Sequence, residues 1–192
     1  MDNQVAKDVL FEVADVLDAA GVPFFLQCGT ALGAYRDGAF IEGDGDIDIG
    51  FLLEDTQTSC YKPSAIVSTI TELRQRGFNA KGVSKPWNFC RALKLAKNGI
   101  HVDICGWMRH GGERFLQSRR KDYALVHPAI IIETVEPVDW LGRTFQIPSP
   151  AEKYLESEYG PDWCTPLPPE KCGTFESKNR IYGYLKARGI KP

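Results

Sequence analysis

The chain has 192 residues, 43% of them hydrophobic and 25% charged, with a formal net charge of −2. That is enough chain for one well-buried domain, and the length gives no reason for two. The near-neutral balance leaves no basic footprint and argues against a nucleic-acid partner; no run of about 18 apolar residues suggests a membrane span.

The N-terminal stretch MDNQVAKDVLFEVADVL carries acids through its apolar face and lacks the basic-then-apolar order of a signal peptide. Val5, Val9, Val13, Val16, Leu17 and Ala20 recur at helical spacing, and Gly21 followed by Pro23 supplies the stop. PFFLQC then reads as a buried strand that runs into GTALGAYRDG, a glycine-opened turn and short helix. IDIGFLLE is the next strand. Pro63 opens a helix through Arg76, with Gly77 as its cap. FNAKGVS and FCRALKLA read as strands, and KNG as a hairpin turn before the strand IHVDICGW. The stretch from Asp122 to Pro148 is β-rich and irregular. SPAEKYLESEYG is a helix with Ser149 as cap, Pro150 at its first position and Glu152 completing a capping box. Residues 161–192 hold an irregular proline-rich segment and a final basic helix, SKNRIYGYLKARG. The order predicts one domain over 1–192, a mixed sheet backed by helices of the α/β or α+β class.

The six cysteines are Cys28, Cys60, Cys90, Cys105, Cys164 and Cys172. No pair has C-x-x-C spacing, and Cys28, Cys90 and Cys105 lie in apolar runs, as buried thiols acting as small hydrophobes do. Cys164 and Cys172 match no zinc spacing, and a reducing cytoplasm is the expected setting.

GDGDIDIGF places Asp44, Asp46 and Asp48 at every second residue as a strand begins, so their carboxylates share one face. Two like charges about 4 Å apart repel by about 4 kcal/mol at an effective dielectric near 20. A magnesium ion, which takes one or two carboxylates together with water and substrate phosphate, turns that repulsion into attraction. An EF-hand calcium loop needs a helix on either side, and Ile47 and Ile49 argue for a strand instead. Asp103, between Val102 and Ile104, is costly in an apolar strand unless paired or liganded. If its strand neighbours the first, it completes a three-carboxylate site able to hold two ions for displacement at phosphorus. Its ordinary reading is a strand-end acid paired with Lys94. Gly29 and Thr30 at a strand-to-helix junction let a phosphate approach the backbone. Arg36 offers a fork for a phosphate oxygen. Arg91 and Lys94 could reach a phosphate or form a solvated strand face.

The Gly-Thr turn, the gap to DIDI and the distant VDI resemble the nucleotidyltransferase fold superfamily. More narrowly, CGTALGAYRDGAFIEGDGDIDIGF is similar to the LicD family, which includes fukutin and the fukutin-related protein. The matches are Gly29, Thr30, Leu32, Gly33, Arg36, Gly38, Ile41, Asp44, Asp46 and Asp48. Downstream, FQIPSPAEKYLESEYGPDW resembles the family's proline-containing helix entry and its ending at Tyr159, Gly160 and Trp163. Two departures stand out. Glu42 and Gly43 replace the family's Pro-Trp, and Gly45 stands where a larger residue is usual.

The resemblance implies a nucleotidyltransferase-like core and a Mg2+- or Mn2+-dependent transferase. Such an enzyme moves phosphocholine or a polyol phosphate from a CDP-linked donor to a sugar hydroxyl on a glycan acceptor. Asp46, Asp48 and Asp103 would then be catalytic and hold metal, Asp44 would hold metal or support the others, and Gly29, Thr30, Arg36 and Arg91 would bind substrate. Two other functions fit the residues. One is transfer of a nucleotide to a small molecule, a protein or RNA; the other is a nucleotide-binding module without turnover.

Overall fold

The computed structural model describes residues 1–53, 63–81, 93–117, 123–168 and 179–189. The chain opens with α1 (Asn3–Ala19), capped by the Asp2 carboxylate, which accepts from the Gln4 and Val5 amides at 3.0 Å each. Such a cap stabilises a helix by about 1 kcal/mol. The apolar spacing noted above buries Val9, Leu10, Val13, Val16 and Leu17. Each contributes about 1.5–3 kcal/mol when fully removed from water.

The strand β1 is only Phe25–Leu26, shorter than PFFLQC suggests, because α2 (Cys28–Leu32) begins at once and passes into a π-helical turn over Gly33–Asp37. Next come β2 (Asp46–Leu52), α3 (Pro63–Gln75), β3 (Asn79–Lys81), β4 (Leu93–Lys97) and β5 (Ile100–His110). Then follow β6 (Glu113–Gln117), β7 (Tyr123–Pro128), α4 (Ala129–Ile132), β8 (Val135–Trp140) and β9 (Arg143–Pro148). The chain closes with α5 (Ala151–Tyr159), β10 (Arg180–Tyr182) and α6 (Tyr184–Ala187).

The eleven-residue β5 organises the sheet. Its first part lies between β2, paired in parallel, and β4, paired antiparallel; its last residues pair with β6. The sheet runs β1-β2-β5-β6-β7-β10, with β4 and β3 branching from β5, and β8–β9 form a separate hairpin. Among the described residues every pairing except β2·β5 is antiparallel. This is the mixed sheet with helices that the element order predicts. Ile47, Ile49, Val102, Ile104, Leu93 and Leu95 are buried in one core with α1 and Leu73 of α3. By strand alternation the acids of β2 and β5 look to the opposite face.

Two expectations are corrected. Residues 180–182 are an antiparallel edge strand on β7, and among the described residues of that stretch only Tyr184–Ala187 is helical. Gly183, at φ +65, divides the expected basic helix. Ser149 does not cap α5, whose cap is Pro150 with no side-chain hydrogen bond. The Ser149 hydroxyl instead donates to Glu136 at 2.7 Å, tying the helix entry to β8.

Candidate active site

The parallel β2·β5 register sets Asp48 opposite Asp103 and Asp46 opposite His101. Side chains two apart on one strand share a face, so Asp46, Asp48 and Asp103 converge. Each offers a carboxylate oxygen, and these oxygens all lie within 4.8 Å of one another. On the other side of β5, the β4 register sets Lys94 opposite Asp103, and the Lys94 ammonium donates to Asp103 Oδ2. Asp103 thus lies beside the two acids of β2 on one side and pairs with Lys94 on the other.

Burial, then the negative charges of Asp46, Asp103 and Asp44, push the Asp48 carboxyl well above the usual carboxylate range, with Lys94 opposing. Asp46 is raised by burial and by Asp103, opposed by Lys94 and His101. Asp44 is raised by burial and by Asp46. Burial draws the Lys94 ammonium down, yet the hydrogen bond and charge of Asp103, together with Asp46, outweigh it and raise its pKa.

The Gly-Thr turn serves the acids directly. Thr30, buried, accepts the Asp48 amide on its hydroxyl at 2.8 Å, and the Gln27 amide donates to the Asp48 carbonyl at 3.1 Å. The backbone of Asp48 is thus held at its carbonyl by Gln27, which joins β1 to α2, and at its amide by Thr30 within α2. Cys28 stands in that bend at φ +48, and its amide donates to the Tyr154 hydroxyl at 2.8 Å. Gly29 lies against the Asp44 carboxylate, which would have to shift for any larger residue. A Cβ there would lie 2.3 Å from Asp44 Oδ2. Asp44 also accepts the Gly45 amide at 2.9 Å, which turns its carboxylate toward α2. Gly43 in the same loop has φ +86, a conformation that suits glycine where the family carries a larger residue.

Beside the acids lies a cavity of about 270 Å3 lined by Gly29, Arg36, Asp48, Tyr123, Tyr159 and Arg180, among others. Arg36 donates to Asp37 at 2.7 Å and to the Trp163 carbonyl at 3.2 Å while facing this space. The Arg180 guanidinium lies 4.4 Å from the Tyr123 ring centroid. Beneath the floor, buried His127 meets Glu158 at 2.8 Å. Of the residues singled out by sequence, the structure gathers Gly29, Thr30, Asp44, Asp46, Asp48 and Asp103, with Arg36 along the cavity. Arg91 lies outside the described residues, as do Cys60, Cys90 and Cys172. Cys105 is buried, Cys28 half-buried and Cys164 exposed.

Sequence reasoning missed His101, Tyr123 and Arg180, and named Tyr159 only in the family-like ending, with no place at the cavity. Strand alternation alone would have placed His101 on the face of Asp103. The others come from distant segments that only the fold assembles.

The fold is a mixed sheet backed by helices, with three acids gathered on one face of β2 and β5. A family model described as LicD/FKTN/FKRP, nucleotidyltransferase domain, matches residues 21–150, and the chain belongs to that family. Among its relatives is the human ribitol 5-phosphate transferase FKRP, 29% identical over 153 residues, which cover 78% of this chain and 30% of FKRP. Mouse ribitol-5-phosphate transferase FKTN is 28% identical over 174 residues, covering 84% of this chain and 34% of FKTN. The chain thus spans about a third of the length of these curated relatives. A crystal structure of ANT(2″)-Ia in complex with adenylyl-2″-tobramycin aligns at TM-score 0.46 and 12% identity, over 74% of this chain and 68% of that one. No helix among the described residues is long and apolar enough to cross a membrane.

Proposed function

We propose that this chain is a divalent-metal-dependent transferase that moves a phospho-group, of the polyol phosphate or phosphocholine type, from a CDP-linked donor to a sugar hydroxyl. The observation that carries the reading is the row formed by Asp46, Asp48 and Asp103 across β2 and β5, beside a cavity. The printed activity of the relatives, ribitol 5-phosphate transfer, supports the same class of reaction.

The residues fit a hard cation. The grouped donors are carboxylate oxygens alone, the ligand set that suits Mg2+ or Mn2+, and Lys94 already rests there as a stand-in positive charge. When bound, such an ion supplies charge neutralisation for phosphate oxygens at the reacting centre. Asp46 and Asp48 are the residues to hold it. Asp103 would take a further ion and orient the acceptor hydroxyl. Thr30 acts through the Asp48 amide and holds that carboxylate in place, and Gly29 leaves room for Asp44. Tyr123, Tyr159, Arg36 and Arg180 give the cavity the aromatic faces and positive charge that suit a nucleoside diphosphate. Catalysis in this arrangement is positioning and electrostatic stabilisation. A cytoplasmic setting belongs to the same reading.

The test is incubation of the full chain with CDP-ribitol and CDP-choline, labelled separately in the transferred group and in the nucleoside, with a glycan acceptor, with and without Mg2+. Label from the polyol or choline should reach the acceptor only with metal, and Asp46→Asn or Asp103→Asn should lower turnover by at least about a hundredfold. Nucleoside label on the acceptor would identify nucleotidyl transfer instead. Full turnover in excess EDTA would remove the metal from the mechanism.

A further inference from the structure

The carboxylate row accounts for three charged side chains of the cluster and leaves out a fourth. Lys94 approaches Asp103 from β4, on the side of β5 opposite to β2 and Asp48. The Asn98–Gly99 turn, with both residues at positive φ, joins β4 directly to β5, so the pairing of Lys94 with Asp103 is built into a tight hairpin. Burial does not force the contact: the Lys94 side chain is 56% exposed and has open solvent to extend into. Asp103, at 16%, is the more enclosed partner.

We propose that Lys94 is the resident second cation of this site. It holds Asp103 and limits the resting site to a single divalent ion between Asp46 and Asp48. This inference rests on the metal reading above and adds to it the number of ions bound before the donor arrives. The three grouped carboxylates and one ammonium carry a net charge of minus two, which one divalent ion neutralises; Asp44, whose carboxylate turns to the Gly45 amide beside Gly29, stands outside that group. A second ion at Asp103 meets the positive charge of Lys94 and enters only when further negative charge, such as a donor diphosphate, joins the site. The hairpin register keeps Lys94 opposite Asp103, within reach of its carboxylate, whether or not substrate is present. Lys94 is therefore a positioning residue that sets metal count, distinct from the groups that touch the reacting atoms.

The test counts Mn2+ bound to the full chain by electron paramagnetic resonance, with no nucleotide present. The wild type should bind one ion per chain, Lys94→Met two, and Lys94→Arg, which keeps the charge, one. Because Lys94 is more than half exposed, its replacement leaves the core intact; Lys94→Gln serves as a second neutral variant and should also bind two. A count of two in the wild type or in Lys94→Arg overturns the proposal while leaving the metal reading standing. So does a count of one in both neutral variants. A wild type that binds no Mn2+ removes the metal reading and this inference with it, an outcome distinct from the other two.

Discussion

Replacing Asp48 with Asn removes one charge from the cluster and almost nothing from its shape. The ligand oxygens of Asp46, Asp48 and Asp103 lie within 4.8 Å of one another. At an effective dielectric near 20, each such pair repels by about 3.5 kcal/mol. Asp48 faces two of these neighbours, and Lys94 offsets part of the repulsion. The cluster is only partly buried, so solvent and salt screen much of what is left. A net stabilisation of about 1–2 kcal/mol is the expected result for Asp48→Asn in chelator, a rise in Tm of about 3–6 °C for a chain of this size. Saturating Mg2+ should reverse the order. A ligand at a hundred times its Kd stabilises the native state by about 2.7 kcal/mol, a gain open to the wild type and lost to the variant. Calorimetric melting of both proteins in EDTA and in Mg2+ checks this. A variant that melts at or below the wild type in EDTA, or that keeps the full Mg2+ shift, refutes the reasoning.

The same acids give a pH signature. Asp44, Asp46 and Asp48 have folded pKa values raised above their ordinary value. Their contribution is therefore present below about pH 4 and is lost as pH rises through the folded values. In chelator, the stability of the wild type relative to Asp48→Asn should fall as pH rises from about 4 toward neutrality; urea midpoints that keep a constant difference overturn this. Thr30→Val removes the acceptor of the Asp48 amide without changing side-chain shape. It should cost about 1–3 kcal/mol in urea unfolding and lower turnover, and unchanged stability would show that the clamp on Asp48 is not needed. Gly29→Ala drives a Cβ into the Asp44 carboxylate and should destabilise by about 1–3 kcal/mol. Most of that loss should return in the Gly29→Ala/Asp44→Ala double variant, and its failure to return would place the strain elsewhere.

Much of this site could be read from local pattern. The alternation of Asp44, Asp46 and Asp48, the Gly-Thr turn and the isolated Asp103 are all short-range signals. The Asn98–Gly99 turn even fixes the antiparallel register that sets Lys94 opposite Asp103, since a two-residue loop leaves no freedom in the count. The parallel pairing of β2 with β5 was not legible from these residues. Nothing near Asp48 or Asp103 specifies which strand lies alongside, and the crossover between them is long; the family resemblance supplied that neighbour. Ser149 misled because a serine before Pro-Ala-Glu carries every local mark of a cap, while Glu136, on another strand, competes for its hydroxyl. Residues 180–182 misled because their basic and apolar spacing suits a helix, and only the open edge of β7 makes them a strand.

The length of β5 has a consequence for how this protein could change. Its odd-numbered positions Asp103, Cys105 and Trp107 share a face, and Val102 and Ile104 fill the opposite one. Its far end also sets the pairing of β6, and through β6 that of β7 and β10. A single-residue insertion or deletion in the first half of β5 would exchange the faces, sending Asp103 into the packing under α1 and an apolar side chain into the acid row. The parity of one strand therefore governs core and chemistry at once. Length changes have room only where a strand ends, and the acid row can diversify by substitution but not by slippage.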